Sequence, residues 1–380
     1  MFPFFSVSRG GGTTDLIYKI AKAQQKIGHE VTVYTGSVGF DPEYADSLEG
    51  VEVKMFKSYL NFGYYLMPGM IGQIKRDLRE FDVVHLHVVR SFQNVIIRHY
   101  CQKFSIPYVM DSHGSIPLAV NKRNIKRVFD KIWGRNILSD AEFCIAETDL
   151  GVDEYVERGI PNSKIITVPP PFDTDDYESL PDPGQFRKKY NIAENEKLIT
   201  YLGRIHEIKG LDVTAEGFAT LAARRDDVRL VIVGPDDGYE AKLRQLISEL
   251  GIENKVLFTG FTFGIDKVTA LVDSDVVVQT SRYEQGAWAP IEGVLAGTPI
   301  VVSDNSGAGE DVIKMDAGYL AKFGDAEDLA DKFEFVLNNP AEAESKTLKA
   351  RQLIFDTRSM NNQISQYSEV YESAISSVGR

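Results

Sequence analysis

The sequence predicts an α/β protein made of two doubly wound domains, and three observations carry that prediction. The chain has 380 residues, more than one hydrophobic core usually supports. Short β-branched runs bounded by turn residues alternate with amphipathic stretches, the pattern of parallel strands joined by helical crossovers. That alternation breaks once, in a proline- and aspartate-rich segment, and then restarts.

In the first half the strand-like runs are HEVTVYT, FDVVHLHVV, IPYVMDSHG, AEFCIAET and SKIITVPPP. An apolar strand should also precede the glycine turn at Gly10 to Gly12, since that strand is central in doubly wound sheets, but it is reduced to Phe2 through Val7. Two explanations stay open: a start that lies upstream, or a shortened core strand. The segment VPPPFDTDDYESLPDPG then reads as a linker at residues 173–190, between domains spanning 1–172 and 191–356. The second half repeats the alternation with EKLITYLGRI, VRLVIVGP, KVLFTGF, SDVVVQTS, TPIVVSD and AGYLAKF, and residues 357–380 end the chain in a helical pattern.

Composition narrows the function classes. With 43% apolar and 26% charged residues the chain is an ordinary globular one, and its net charge of −13 argues against nucleic acid as a partner. Cys101 and Cys144 lack the spacing of a zinc site or a disulfide framework, which suits a reducing compartment. The N-terminal residues carry no basic leader, and no apolar run approaches the length of a membrane span. A cytoplasmic protein is expected, neither secreted nor membrane-spanning.

The chemistry concentrates in SRYEQGAWAPIEGVLAGTP. A strand runs into this loop, and a short helix is expected to begin with Pro290 at its first position and to stop at Gly297. Amides around Gly286, Ala287, Trp288 and Ala289 would face a ligand from a helix N-terminus, which suits a phosphate. Glu284 and Glu292 flank that anion site, and a carboxylate accepts hydrogen bonds from two vicinal hydroxyls at once, as sugars and ribose present them. Singly, each would be a solvated or dipole-facing carboxylate; the spacing makes them a pair. In YLGRIHEIKGLD, Arg204 and Lys209 offer two cations at a strand end, fit to neutralise a diphosphate.

Four weaker features accompany them. The turn SRGGGTTD, with Gly11 and Gly12, can cradle an anion but matches neither the dinucleotide-binding nor the NTPase glycine pattern. His113, in VMDSHGS, follows a strand at the same kind of edge, where it could bond a sugar hydroxyl or phosphate. His85 and His87 share a strand face, but with no third ligand nearby in the sequence they read as sheet packing. Asp173 and Asp175 form a D-x-D that reads as turn chemistry rather than a metal site.

Taken in order, the glycine turn, DSHG, GR-x4-KG and the two glutamates separated by seven residues resemble the retaining glycosyltransferases of family 4, over nearly the whole chain. The resemblance implies a GT-B fold, two Rossmann-like domains facing across a cleft, the second binding a nucleotide-diphosphate sugar and the first the acceptor. It implies that Glu284 contacts the donor sugar, Glu292 the ribose, and Arg204 and Lys209 the diphosphate. Gly11 and Gly12 would approach the diphosphate from the other domain, His113 would line the sugar pocket, and the final helix would cross back to the first domain. No metal or other cofactor is implied. QGAWAP departs from the family's usual glycine and aromatic run, with Trp288 in the aromatic's place.

Residues 121–136, NKRNIKRVFDKIWGRN, hold six Lys or Arg and one Asp in an amphipathic pattern. Two readings follow: a core-packed helix with a solvated basic face, or a surface that brings the enzyme to a lipid-linked acceptor on the inner face of the cell membrane. The expected activity is transfer of a hexose to a glycan or lipid-linked hydroxyl in cell-envelope polysaccharide or glycoconjugate synthesis. A sugar-nucleotide epimerase of the same fold and a non-catalytic sugar-nucleotide-binding subunit are the alternatives.

Overall fold

The structure is a computed structural model that describes residues 5–61, 64–118 and 123–379. It divides into two compact units: the first runs to Phe172 and resumes at Met360, and the second spans Asp173–Ser359. The two chain crossings are joined by one backbone hydrogen bond, from Met360 N to Phe172 O at 2.9 Å.

The first unit holds its strands in separate pieces. β1 (Thr32–Gly36) and β2 (Glu52–Phe56) form a parallel pair, and β3 (Tyr59–Asn61) and β4 (Tyr64–Leu66) a short hairpin. β5 (Val84–His87), β6 (Tyr108–Asp111), β7 (Phe143–Ala146) and β8 (Ile165–Thr167) make a parallel sheet in sequence order. The shortened first strand is not found among the described residues. Phe2 and its neighbours to residue 4 lie outside them, Phe5 and Ser6 are irregular, and Val7 already opens the helix Val7–Lys26. That helix breaks at Gly11, whose φ of 57° and ψ of −158° leave the helical region, so the glycine run is a kink between helical pieces rather than a strand-to-helix turn. The last helix, Met360–Ser377, packs on β6 and on the helix Val7–Lys26, with Tyr367 fully buried.

The second unit carries one continuous six-stranded parallel sheet: β9 (Lys197–Leu202), β10 (Val228–Val233), β11 (Val256–Gly260), β12 (Val276–Gln279), β13 (Ile300–Ser303) and β14 (Tyr319–Ala321). Its order, β11-β10-β9-β12-β13-β14, reverses direction between β9 and β12, the point where doubly wound sheets bind ligands at their carboxyl edge. Nearly every residue of β9, β10, β12 and β13 is buried, as expected of strands covered by helices on both faces.

Residues 173–190 are part of this second unit rather than a free linker. Phe186, 2% exposed on the helix Gln185–Tyr190, packs with Ile192, Leu198 and Val231, and the Asp273 carboxylate accepts the amide of Arg187 at 2.9 Å. Tyr177, 3% exposed, is buried as well, and Arg351 donates to its carbonyl at 2.6 Å, so a segment whose composition reads as a connector is anchored at both ends. Asp173 and Asp175 sit at the 3-10 turn Thr174–Tyr177, though the Asp173 side chain makes no capping bond there. Both cysteines are buried and unpaired, and burial pushes each thiol up to about 12.

Candidate donor-binding site

Two loops leave the carboxyl ends of the adjacent strands β9 and β12 and are stitched together. Gly210, with φ 61°, lies so close to the second loop that a Cβ there would stand 1.9 Å from Thr280 O. Arg282 N donates to Ile208 O at 2.8 Å, and the Arg282 guanidinium forks onto the Asp212 carboxylate and donates to Glu207 O. Burial alone would raise the Asp212 carboxyl, but the Arg282 bonds outweigh it and hold it below its ordinary value.

This stitching brings Lys209 to Glu284. Lys209 Nζ lies 2.7 Å from Oε1 and 2.8 Å from Oε2 of Glu284, with the two side chains only 17% and 18% exposed. Tyr201, buried on β9, donates its hydroxyl to Arg204 O at 2.9 Å. Burial first, then the charge of Glu284, raises this phenol well above its ordinary value, while Arg204 opposes them. The Tyr201 hydroxyl is thus held by the Arg204 backbone and feels the Glu284 charge, while the Arg204 guanidinium turns outward to pair with Asp237.

The helix that follows is Trp288–Leu295, so Pro290 is its third residue rather than its first. Proline is tolerated there because the amides of the first turn have no intrahelical acceptor. Glu292 projects from this helix to pair with Lys267 on the helix Ile265–Val272. The Ala287 amide, expected to face an anion, instead donates to Asp311 at 3.1 Å, and Asp311 is held in turn by Arg358 at 2.7 Å. Gly286 and Ala287 are buried, Trp288 is half-buried, and Gly307 N fixes Glu284 O at 2.9 Å. Loop 284–287 is thus clamped from behind by the helix Gly307–Met315.

Of the residues singled out in the sequence, the structure brings Lys209 to Glu284 and turns Arg204 to Asp237; Tyr201, Lys267, Asp311 and Arg358 are neighbours that no motif pointed to. The partners of the last three lie 24 to 47 positions away, and no local pattern signals such pairs.

His113 is placed differently from its expected role. Its ring is turned into the first unit, 3% exposed, with Nδ1 2.9 Å from Glu147 and Nε2 2.9 Å from His87 Nδ1. Both nitrogens are committed, which leaves no ring atom for a sugar hydroxyl in this arrangement. His85 and His87 also gain the acidic neighbour that the sequence did not reveal, because the β5–β6 register sets His87 opposite Asp111. Two overlapping triads, His85 with His87 and Asp111, and Asp111 with His113 and Glu147, place ligand-type atoms within 4.8 Å. Their ring nitrogens bond one another, Glu147 and, from His85, the Tyr371 hydroxyl at 2.8 Å. Among the described residues Asp173 and Asp175 join no such cluster.

Known proteins match both units. The model for glycosyltransferase family 4 covers residues 10–176, and that for glycosyl transferases group 1 covers residues 183–353. An uncharacterized glycosyltransferase of Methanocaldococcus jannaschii is 27% identical over 378 residues, covering 95% of this chain and 94% of its own. Mannosylfructose-phosphate synthase of Agrobacterium fabrum is 29% identical over 330 residues, covering 78% and 72%. Anabaena HepE, solved with UDP and glucose, superposes with a TM-score of 0.80 at 20% identity, over 98% of each chain. No helix among the described residues is long and apolar enough to cross a membrane. Two family models that between them span nearly the whole chain, on a pair of Rossmann-like units with clamped carboxylate and lysine at a sheet's switch point, lead to one conclusion: this chain belongs to the family 4 glycosyltransferases and has the GT-B fold.

Proposed function

We propose that the protein is a retaining glycosyltransferase that moves a hexose from a nucleotide-diphosphate sugar to a hydroxyl of a glycan or lipid-linked acceptor, without a metal. The observation that carries this reading is the Lys209–Glu284 pair, two opposite charges held together at the switch point of the second unit's sheet. The UDP and glucose bound by HepE favour this class of donor. On binding, Lys209 and Arg204 exchange their carboxylate partners for diphosphate oxygens, Glu284 is released to accept sugar hydroxyls, and Glu292, held by Lys267, accepts from the ribose.

In the transfer step the bond from the sugar's anomeric carbon to the phosphate oxygen breaks, and its electron pair stays on the diphosphate. The acceptor oxygen bonds the same carbon from the same face and gives its proton to the departing phosphate. Lys209 and Arg204 stabilise the charge that develops on the diphosphate, the work a metal does elsewhere.

A place in cell-envelope polysaccharide or glycoconjugate synthesis, at the inner face of the membrane, is supported by the basic stretch at residues 121–136, of which 121 and 122 lie outside the described residues. Phe129 is buried, but Ile125, Val128, Ile132 and Trp133 are 39%, 57%, 50% and 40% exposed, so most of the apolar side of this stretch does not face the core. Exposed apolar side chains among Arg123, Arg127, Lys131 and Arg135 suit an anionic lipid surface.

The test is turnover of a panel of UDP-, GDP- and ADP-hexoses with and without chelator, with the product anomer read by NMR and membrane association by sedimentation with anionic vesicles. Glu284→Gln and Lys209→Ala are each expected to lower kcat/KM by about 10²–10³-fold. Inversion at the anomeric carbon sinks the retaining reading, chelator-sensitive turnover the metal-independent one, and vesicles that leave the protein in the supernatant the membrane one.

A further inference from the structure

We propose that a cavity in the first unit, beside the π-helical turn Asp130–Gly134, binds a phosphomonoester or diphosphate group carried by the acceptor. The proposal rests on the reading above that this unit receives the acceptor, and adds to it the acceptor's chemical class. The cavity measures about 490 Å³ and opens where the chain leaves β5 and β6. Arg90, Lys131, Arg135 and Arg158 line it together with Asp130 and Glu157. Four cations against two carboxylates leave two positive charges in excess, in a chain whose net charge is −13. Such a local inversion of sign is what draws an anion to an acidic protein.

The wall is rigid. Arg90 grips Asp130 with two bonds of 2.7 Å and spends a further donor on Ile116 O at 2.7 Å. Arg158 shares the same carboxylate at 3.0 Å and donates to Ile116 O at 2.9 Å. One carboxylate therefore serves two guanidinium groups and cannot neutralise both. Glycine at 134 leaves room for it: a Cβ there would stand 2.8 Å from Asp130 Oδ1 and press the carboxylate away from the arginines it serves. Single π turns inside helices are frequent at functional sites.

Lys131 and Arg135 are exposed on the same lining and make no ion pair among the described residues. A planar guanidinium fork and an ammonium, set above a wall that is already positive, match the oxygens of a phosphate. The buried apolar residues Ile116 and Leu138 at the floor lower the local dielectric and strengthen the attraction.

The chain's two tryptophans separate this site from the donor site, because Trp133 belongs to the π turn and Trp288 to the donor loop. With 5-fluorotryptophan incorporated, titration with inorganic pyrophosphate is expected to shift the Trp133 fluorine signal saturably. The double variant Lys131→Gln/Arg135→Gln should weaken that response at least tenfold and leave the Trp288 signal of the unliganded protein in place, as evidence of an intact fold. A parallel arm uses vesicles doped with phosphatidic acid or with phosphatidylglycerol at matched charge. Saturable binding of pyrophosphate supports a water-soluble phosphate source. A response to phosphatidic acid alone, lost in the double variant, supports a lipid headgroup. The proposal falls if Trp133 is silent in both arms, if the double variant responds like the wild type, or if only the vesicles act and the two lipids act equally. Donor sugar shifting Trp288 while Trp133 stays silent would sink this proposal and leave the donor site standing.

Discussion

The two units are built on the same doubly wound plan and differ at the centre of the sheet. In the second unit β9 occupies the middle, fully hydrogen-bonded between β10 and β12, and its carboxyl end delivers Arg204 and Lys209. In the first unit the corresponding place, between β1 and β5, has no strand among the described residues, and the strands fall into separate pieces. The hydrophobic cores follow suit. Each unit has one large cluster, Ile199 to Ala343 in the second and Tyr34 to Ile160 in the first, but the second unit's small cluster around Phe186 shares β9 and β10 with the large one, whereas the small cluster of Phe5, Ala21, Val33, Ala45, Leu48 and Val51 in the first draws on none of β5 to β8. A central strand thus carries apolar packing on both faces of the sheet, because neighbouring residues such as Leu198 and Ile199 point to opposite sides.

The sharpest way to break this comparison is to make the same cut in both cores. Phe333→Ala, in the large cluster, is expected to cost about 4 kcal/mol, because a tightly surrounded cavity cannot collapse. Phe5→Ala, in the small one, should cost about half as much. Denaturant unfolding followed through Trp288 for the second unit and Trp133 for the first would measure both. Equal losses would mean that the fragmentation of the first sheet has no energetic consequence.

A second prediction concerns the clamp that makes the second unit's edge rigid. Asp311→Asn leaves Arg358 buried without its counter-charge and should destabilise the second unit by about 3 kcal/mol. Arg358→Met made in the same chain removes the stranded charge and should recover most of that loss. Failure of the second change to rescue the first would show that Asp311 acts through Ala287 rather than through Arg358.

The smallest effect expected is in pH dependence, and it separates the units because five of the six histidines lie in the first. Burial lowers both His85 and His87 well below the ordinary histidine value. Below about pH 6.5 the unfolded chain takes protons at these rings and the folded chain does not, so folded stability falls as the pH drops. Asp111 works the other way. Burial raises it, His113 pulls it down and Glu147 pushes it up, leaving it at about 7, so between about pH 4 and 7 the folded state holds a proton that the unfolded state releases. His113, which burial lowers but Asp111 and Glu147 raise more, also holds a proton in the folded state near pH 6.5, so the two lowered imidazoles leave only a small net loss of stability on acidification below that pH, confined to the first unit. Asp111→Asn should steepen that loss. A Trp133 transition that does not move between pH 6.5 and 5.5 would contradict it.

How much was legible can be judged from particular residues. β9 and β12 are apolar runs ending at turn residues, and once their ends are recognised as a sheet's carboxyl edge, Arg204, Lys209 and Glu284 fall into place without any knowledge of contacts. The segment at 173–190 misled because proline and aspartate mark irregular backbone whether it is a free connector or a docked cap. Only the burial of Phe186 and Tyr177 and the bonds to Asp273 tell the two apart. His113 misled for a related reason: its position after β6 follows from periodicity, but the direction of its ring depends on Glu147 and His87, 34 and 26 positions away.

The sequence by itself determined the fold class, the family and the second unit's edge residues, because hydrophobic period and turn chemistry are local and survive being read along a line. What only the tertiary structure decided is pairing: Lys209 with Glu284, Glu292 with Lys267, Ala287 with Asp311 and Arg358, and Asp130 with two arginines. Each of these joins groups far apart along the chain. Their energies depend on distance, burial and dielectric, quantities that come into existence only when the chain has folded.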